Sequence, residues 1–247
     1  MDVVVAGITA DLEGLARQRT ARLDDPTSLA HILFGMLHAG PESSHGAARC
    51  IVAFNSATLN DMLHKLGAIP LLVRLLHVDA SSYAGTRAIW TLNRRKSNID
   101  NATASAIKNT TRDAGAIEPL VALLQSTNLA VASDSASALG TICRDNSRNK
   151  DTAFAAGALP PLIALLQCSA ERHADALKAK RAAAGSIQVI SKAGPVAENA
   201  LLDGVFSRMP LALDFYGSEK LVCSLKMIAW TRCEEAIKRL RVRRQSP

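Results

Sequence analysis

The sequence predicts an all-α solenoid, a stack of short helical units in place of a sheet-based domain. Three observations predict it. A ten-residue phrase, Gly67-Ala-Ile-Pro-Leu-Leu-Val-Arg-Leu-Leu76, returns as Gly115-Ala-Ile-Glu-Pro-Leu-Val-Ala-Leu-Leu124 and as Gly157-Ala-Leu-Pro-Pro-Leu-Ile-Ala-Leu-Leu166, with a worn copy at Gly204-Val-Phe-Ser-Arg-Met-Pro-Leu-Ala-Leu213. The glycines stand 48, 42 and 47 residues apart, a period that belongs to stacked supersecondary units. Apolar residues make up 48% of the chain but aromatics only 4%. The core must therefore come from Leu, Ile, Val and Ala, which suit closely packed helices.

Taken in order, residues 1–24 read as a short cap helix or partial repeat, with Leu12, Leu15, Ala16 and Leu23 near helical spacing. The repeat array follows over 25–242, and 243–247 form a frayed basic tail. Asp25-Pro26 is a helix start, an N-cap followed by proline at the first helical position. Leu29, Ile32, Leu33, Met36 and Leu37 share one face of that helix, and His38-Ala-Gly-Pro41 ends it. A second helix runs from Ser43 to about Asn55.

Each full unit then follows one plan. A short helix stops at the glycine, which tolerates the left-handed conformation of a helix end. Proline restarts the chain into a second helix whose leucines are buried. A polar turn (Asp79-Ala-Ser-Ser, Gln125-Ser-Thr-Asn or Gln167-Cys-Ser-Ala) leads to a longer, Ala-rich third helix. Ala88, Ser135 and Ala183 hold equivalent places there and let neighbouring units approach closely. The period breaks twice. The polar stretch from Arg94 to Asp113 predicts a loop with a short helix over about 103–108. Residues 168–184 predict a longer turn or a charged extension of the third helix. Glu219 to about Val242 reads as one long terminal helix.

These residues resemble the armadillo repeat: a Gly-Ala-Ile-Pro-Pro-Leu-Val-x-Leu-Leu helix, a third helix containing Ala-Leu-x-x-Leu, and a polar link carrying Asn. Asp145-Asn-Ser-Arg-Asn-Lys-Asp151 matches that link closely. The resemblance covers roughly residues 27–240 as four to five units and implies a right-handed α-solenoid. HEAT-type repeats are the nearest alternative but lack the Gly-Ala-Ile-Pro signature. In importin-alpha-like members the third helices present a ladder of Trp and, four residues on, Asn, which grips a basic peptide. The equivalent pairs here are Arg49/Ala53, Trp90/Arg94, Ser137/Thr141 and Gly185/Val189. Only Trp90 matches, so the resemblance disfavours recognition of classical nuclear signals. An arginine at two of the eight positions would repel a basic peptide.

Charge and chemistry narrow the function further. The net charge of +7 is local: residues 220–247 carry eight basic and two acidic groups, a net of +6, leaving +1 elsewhere. The five cysteines form no CxxC pair and have no zinc spacing, and they favour a reducing compartment. No stretch approaches the roughly 20 apolar residues of a membrane span. No metalloprotease, nucleophile-elbow, phosphate-loop or dinucleotide motif is present, so no residue is assigned as catalytic, cofactor-binding or metal-ligating. Cys143, Asp145 and His173 read as a packed thiol and surface groups, not as a nucleophile with its base.

What remains is the concave surface made by stacked third helices, an extended groove for a partner segment. Its candidate residues are Arg49, Trp90, Asn93, Arg94, Ser137, Thr141, Arg144 and Arg181. Trp and Arg are frequent interface anchors, and the arginines point to a protein or peptide partner of acidic character. Lys238, Arg239, Arg241, Arg243 and Arg244 form a second candidate, a localisation signal or a contact to an anionic surface. No aromatic residues interleave them, which argues against a single-strand nucleic-acid platform. The expectation is a non-enzymatic scaffold or adaptor of the cytoplasm or nucleus. The alternatives are the substrate-recognition part of a ubiquitin ligase and, disfavoured by the missing ladder, a nuclear transport adaptor.

Overall fold

The computed structural model describes residues 26–78, 82–94, 100–166 and 174–194, with a few isolated positions beyond them. The described residues are helical, without strands. In chain order the helices are α1 (Pro26–His38), α2 (Pro41–Phe54), α3 (Ala57–Lys65), α4 (Ala68–Leu75), α5 (Ser82–Asn93), α6 (Asn101–Asp113), α7 (Ile117–Leu123), α8 (Leu129–Cys143), α9 (Ser147–Ala155), α10 (Leu159–Leu166) and α11 (Ala174–Ile190), closed by a 3-10 turn over Ser191–Ala193. Among the described residues these make three full units, α3–α4–α5, α6–α7–α8 and α9–α10–α11, preceded by the pair α1–α2. The expected cap over 1–24 lies outside the described residues apart from Gly7 and Gly14, and the expected terminal helix lies outside them altogether.

The repeated glycines do what their position requires. Gly67, Gly115 and Gly157 have φ of 82°, 76° and 74°, a conformation that a Cβ disfavours. Two of them close a paired hydrogen-bonded cap. Gly115 N–H donates to the Arg112 carbonyl (2.8 Å) and Ala116 N–H to that of Thr111 (3.2 Å), while Gly157 and Ala158 do the same toward Phe154 (2.9 Å) and Ala153 (3.1 Å). These bonds satisfy the carbonyls left over at a helix end. Pro70, Pro119, Pro160 and Pro161 then fall within the first turns of α4, α7 and α10. There the missing N–H costs nothing.

A continuous apolar core runs through all the units, from Leu29 in α1 to Ile190 in α11. Ala88, Ser135 and Ala183 are fully buried, as their small size predicts. The Arg94–Asp113 stretch departs from expectation: its helix spans Asn101–Asp113 rather than 103–108. The Asp100 side chain caps it, accepting from Thr103 N–H (2.8 Å) and Thr103 Oγ1 (2.8 Å). Ile107, Lys108 and Thr111 supply a buried face, one too polar to give a clear hydrophobic period. Of the charged insertion, Asp175, Lys178, Lys180 and Arg181 lie inside α11, and residues 168–173 lie outside the described residues.

Polar residues tie the first helices into the stack. Asn149 of α9 is fully buried. Its Nδ2 donates to the Lys108 (3.2 Å) and Ile142 (3.0 Å) carbonyls, and its Oδ1 accepts from Arg112 (2.9 Å). One side chain thus joins α6, α8 and α9. His64 of α3 plays a lighter role toward α6, its Nε2 lying 3.0 Å from Thr110 Oγ1. Partial burial pushes the His64 imidazole below its ordinary 6.5; nearby Asp61 opposes this and Lys65 reinforces it. The unfolded chain takes the proton first, so the His64 contribution is present above 6.5 and is lost as pH falls through the folded-state value. Between about pH 7 and pH 5 the wild type should lose thermal stability faster than His64→Asn. Parallel curves for the two proteins would refute the link.

Candidate functional site

The third helices α2, α5, α8 and α11 pack consecutively, each against the next. Burial along α8 shows what this leaves open. Val131 to Ala136, Ala138, Leu139, Gly140, Ile142 and Cys143 are all buried. Past its first two residues, α8 reaches the surface only at Ser137 and Thr141. Neighbours occupy the remaining faces. Small residues make this possible: Gly140 lies directly against Ser186 of α11, whose hydroxyl donates to the Ala136 carbonyl.

The same two windows recur in register on the other third helices. Arg49/Ala53 on α2, Trp90/Arg94 on α5 and Gly185/Val189 on α11 are all exposed or half-buried, like Ser137/Thr141. They form a continuous strip across the stack. Trp90 packs its inner edge on the core, and the Arg94 guanidinium lies 5.2 Å from the centre of its ring, a cation–π geometry. Ser137 and Thr141 turn their hydroxyls back to the Ser133 (3.0 Å) and Ser137 (2.7 Å) carbonyls, so this part of the strip is shallow and quiet.

One of the expected groove residues turns inward. Asn93 is buried, donating to the Ile89 carbonyl (2.9 Å) and exchanging hydrogen bonds with Thr111 Oγ1. Standing one residue short of the window, it is rotated about 100° inward and ties α5 to α6. Arg181 is exposed, but it sits four residues before Gly185, the register of Thr86 and Ser133, both fully buried. Arg144 is exposed just past α8, and its carbonyl receives Lys108 Nζ at 2.7 Å. The basic group from Lys238 to Arg244 lies outside the described residues.

Sequence reasoning missed a charged set beside the strip. Asp134 of α8 is buried, with Lys178 Nζ of α11 at 2.9 Å and Arg87 Nη1 of α5 at 3.4 Å. Arg87 also reaches the Tyr83 hydroxyl (3.2 Å) and lies 5.7 Å from that ring's centre. Arg87 and Asp134 occupy one register position in successive units with opposite charge, a signal that aligning the repeats contains. Next to this set, His45, Arg49, Val52 and Ala53 of α2 and Tyr83, Ala84 and Arg87 of α5 line an open hollow of about 340 Å³.

Reactive chemistry has little support here. The Cys143 thiol is buried and donates to the Asn149 carbonyl at 3.4 Å. Burial pushes it up to about 12, with Lys150 and Lys108 opposing, so it keeps its proton at neutral pH and is a poor nucleophile. His173 lies outside the described residues. Among the described residues no group of three His, Cys, Asp or Glu side chains could hold a metal, and no helix is long and apolar enough to cross a membrane.

Residues 105–144, which run through α6, α7 and α8, match the model of the armadillo/beta-catenin-like repeat. The fold agrees along most of the chain. A designed armadillo repeat protein, YIII(Dq)4CqI, superposes with a TM-score of 0.69 at 19% identity, covering 89% of this chain and 92% of its own. The fold is that of an armadillo-repeat solenoid. A second designed armadillo protein, YIII(Dq.V1)4CPAF in complex with peptide (KR)4, gives 0.65 at 20% identity over 91% of each chain. An engineered protein gives 0.66 at 23% identity, covering 88% of this chain and 98% of that one. No curated protein matched the sequence. In armadillo terms, the strip lies on the third helices of the repeats and the glycine caps lie between their first and second helices.

Proposed function

We propose that this armadillo solenoid is a non-enzymatic scaffold or adaptor that binds an acidic partner segment along the concave groove of its third helices. The observation that carries the reading is the in-register strip of windows, occupied on α2 and at the end of α5 by Arg49, Trp90 and Arg94. One structural neighbour holds the basic peptide (KR)4. In this chain the strip carries Arg49 and Arg94 where the importin-alpha-like ladder has Trp or Asn, and this supports a partner of opposite sign. Electrostatic complementarity of this kind sets specificity and association rate more than raw affinity.

The test uses fluorescein-labelled (Asp-Glu)4, the charge inverse of (KR)4, in anisotropy titrations at low salt. Replacing Arg49, Arg94 and Arg144 together with Glu should weaken its binding at least about tenfold, or 1.4 kcal/mol. The same substitutions should turn (KR)4 from a poor ligand into a better one. Unchanged affinity for the acidic peptide would defeat the proposal. The proposed setting is the cytoplasm or nucleus, supported by the buried thiols of Cys50 and Cys143. Within it, the segment from Lys238 to Arg244 would act as a nuclear-localisation signal. Deleting the chain from Glu235 onward in a fluorescent fusion tests that role.

A further inference from the structure

We propose that the hollow between α2 and α5 is an anchor pocket for one bulky apolar side chain of the partner, with a carboxylate beside it. This rests on the groove reading and narrows it from a charged surface to a defined recognition element. At about 340 Å³ the hollow lies at the low end of the roughly 300–1,000 Å³ found for ligand pockets, a size suited to a single side chain. Val52, Ala53 and Ala84 give it apolar walls, and the Tyr83 ring, 39% exposed, stands at its rim. An apolar floor flanked by cations calls for a ligand that is itself apolar with an adjacent negative charge.

The two arginines come from opposite walls, Arg49 from α2 and Arg87 from α5. Among the described residues, no acidic side chain lines the hollow. Arg87 is held in place before any partner arrives, by the Tyr83 hydroxyl and ring on one side and by Asp134 on the other. A side chain already ordered loses little further freedom on binding, the usual advantage of preorganisation. The described residues of the next two units differ at the matching positions. In the Tyr83 register stand Ala130 and Lys178, and in the Trp90 register Ser137 and Gly185. One anchor at one end of the groove also fixes the direction in which a segment lies along it.

The test compares three labelled peptides on a neutral Gly-Ser background: one with a central Phe-Glu-Glu, one with Ala-Glu-Glu and one with Phe-Gln-Gln. The first should bind at least about tenfold more tightly than either of the others. In a ¹⁵N-labelled protein its amide shift changes should centre on Arg49, Val52, Ala53 and Tyr83. Ala53→Trp, a substitution at an exposed position, fills the hollow and should erase the preference for Phe while leaving the thermal midpoint in place. Equal binding of the Phe-Glu-Glu and Ala-Glu-Glu peptides, with dependence on Arg49 and Arg94 retained, would overturn the anchor and leave the acidic groove standing. A Phe preference that survives Ala53→Trp, or shift changes centred elsewhere, would also overturn it. Failure of every acidic peptide to bind would remove the groove reading and the anchor together.

Discussion

Replacing Arg87 and Lys178 together with Leu should destabilise the protein by about 3–5 kcal/mol, the range seen when a buried ion pair loses one side. The reason is asymmetry. Asp134 has a side chain only 3% exposed, whereas Arg87 and Lys178 are 29% and 48% exposed. With both cations gone, the carboxylate is left in a tight interface with no partner. Removing the acid instead releases two side chains that already reach water, so Asp134→Leu alone should cost far less. Combining all three substitutions should recover most of the loss, because a buried ionic cluster exchanged for apolar groups is often neutral. Chemical denaturation of the wild type, the double variant and the triple variant provides the measurement. If the triple variant proves as weak as the double, the uncompensated carboxylate is not the cause.

Gly140→Ala should cost about 2 kcal/mol, while Gly185→Ala on the next third helix should gain up to about 1 kcal/mol. Both glycines lie inside helices, where alanine is intrinsically favoured. A Cβ at Gly140 would fall 2.5 Å from Ser186 Oγ and 3.3 Å from Ser186 Cα, whereas at Gly185 it meets nothing within 4 Å. Ser186 cannot simply turn aside, because its hydroxyl bonds the Ala136 carbonyl in a buried seam and leaving that group unpaired carries its own cost. The opposite signs are what the measurement must show. Two thermal midpoints moving in the same direction would mean that the α8–α11 contact is looser than these distances indicate.

The repeated decapeptide was readable because it encodes backbone necessity. A left-handed φ at Gly67, Gly115 and Gly157 demands glycine, and prolines after it fit only a first turn. The α6 helix was understated because Asn101 to Asp113 carries few apolar residues; its existence depends on the Asp100 cap and on burial of Ile107, Lys108 and Thr111. For the candidate groove, aligning Trp90 with Ser137 put exposed or half-buried positions of the third helices in one register, since register carries over between units. Asn93 turns inward because it stands one residue off that register on a helix where each residue turns about 100°. Arg87 and Tyr83 escaped notice because their importance lies in contacts to other units, 47 residues away in the case of Arg87 and Asp134, which a search within one unit does not weigh.

The near-complete enclosure of α8 limits how such a protein can change its partner. With most of α8 committed to its neighbours, this unit exposes about two free letters on its third helix in which a new preference can be written. A gene duplicating this array would inherit a stable framework and a short, editable address. Specificity could then be rewritten at a few codons while substitutions elsewhere on the same helices were purged for instability.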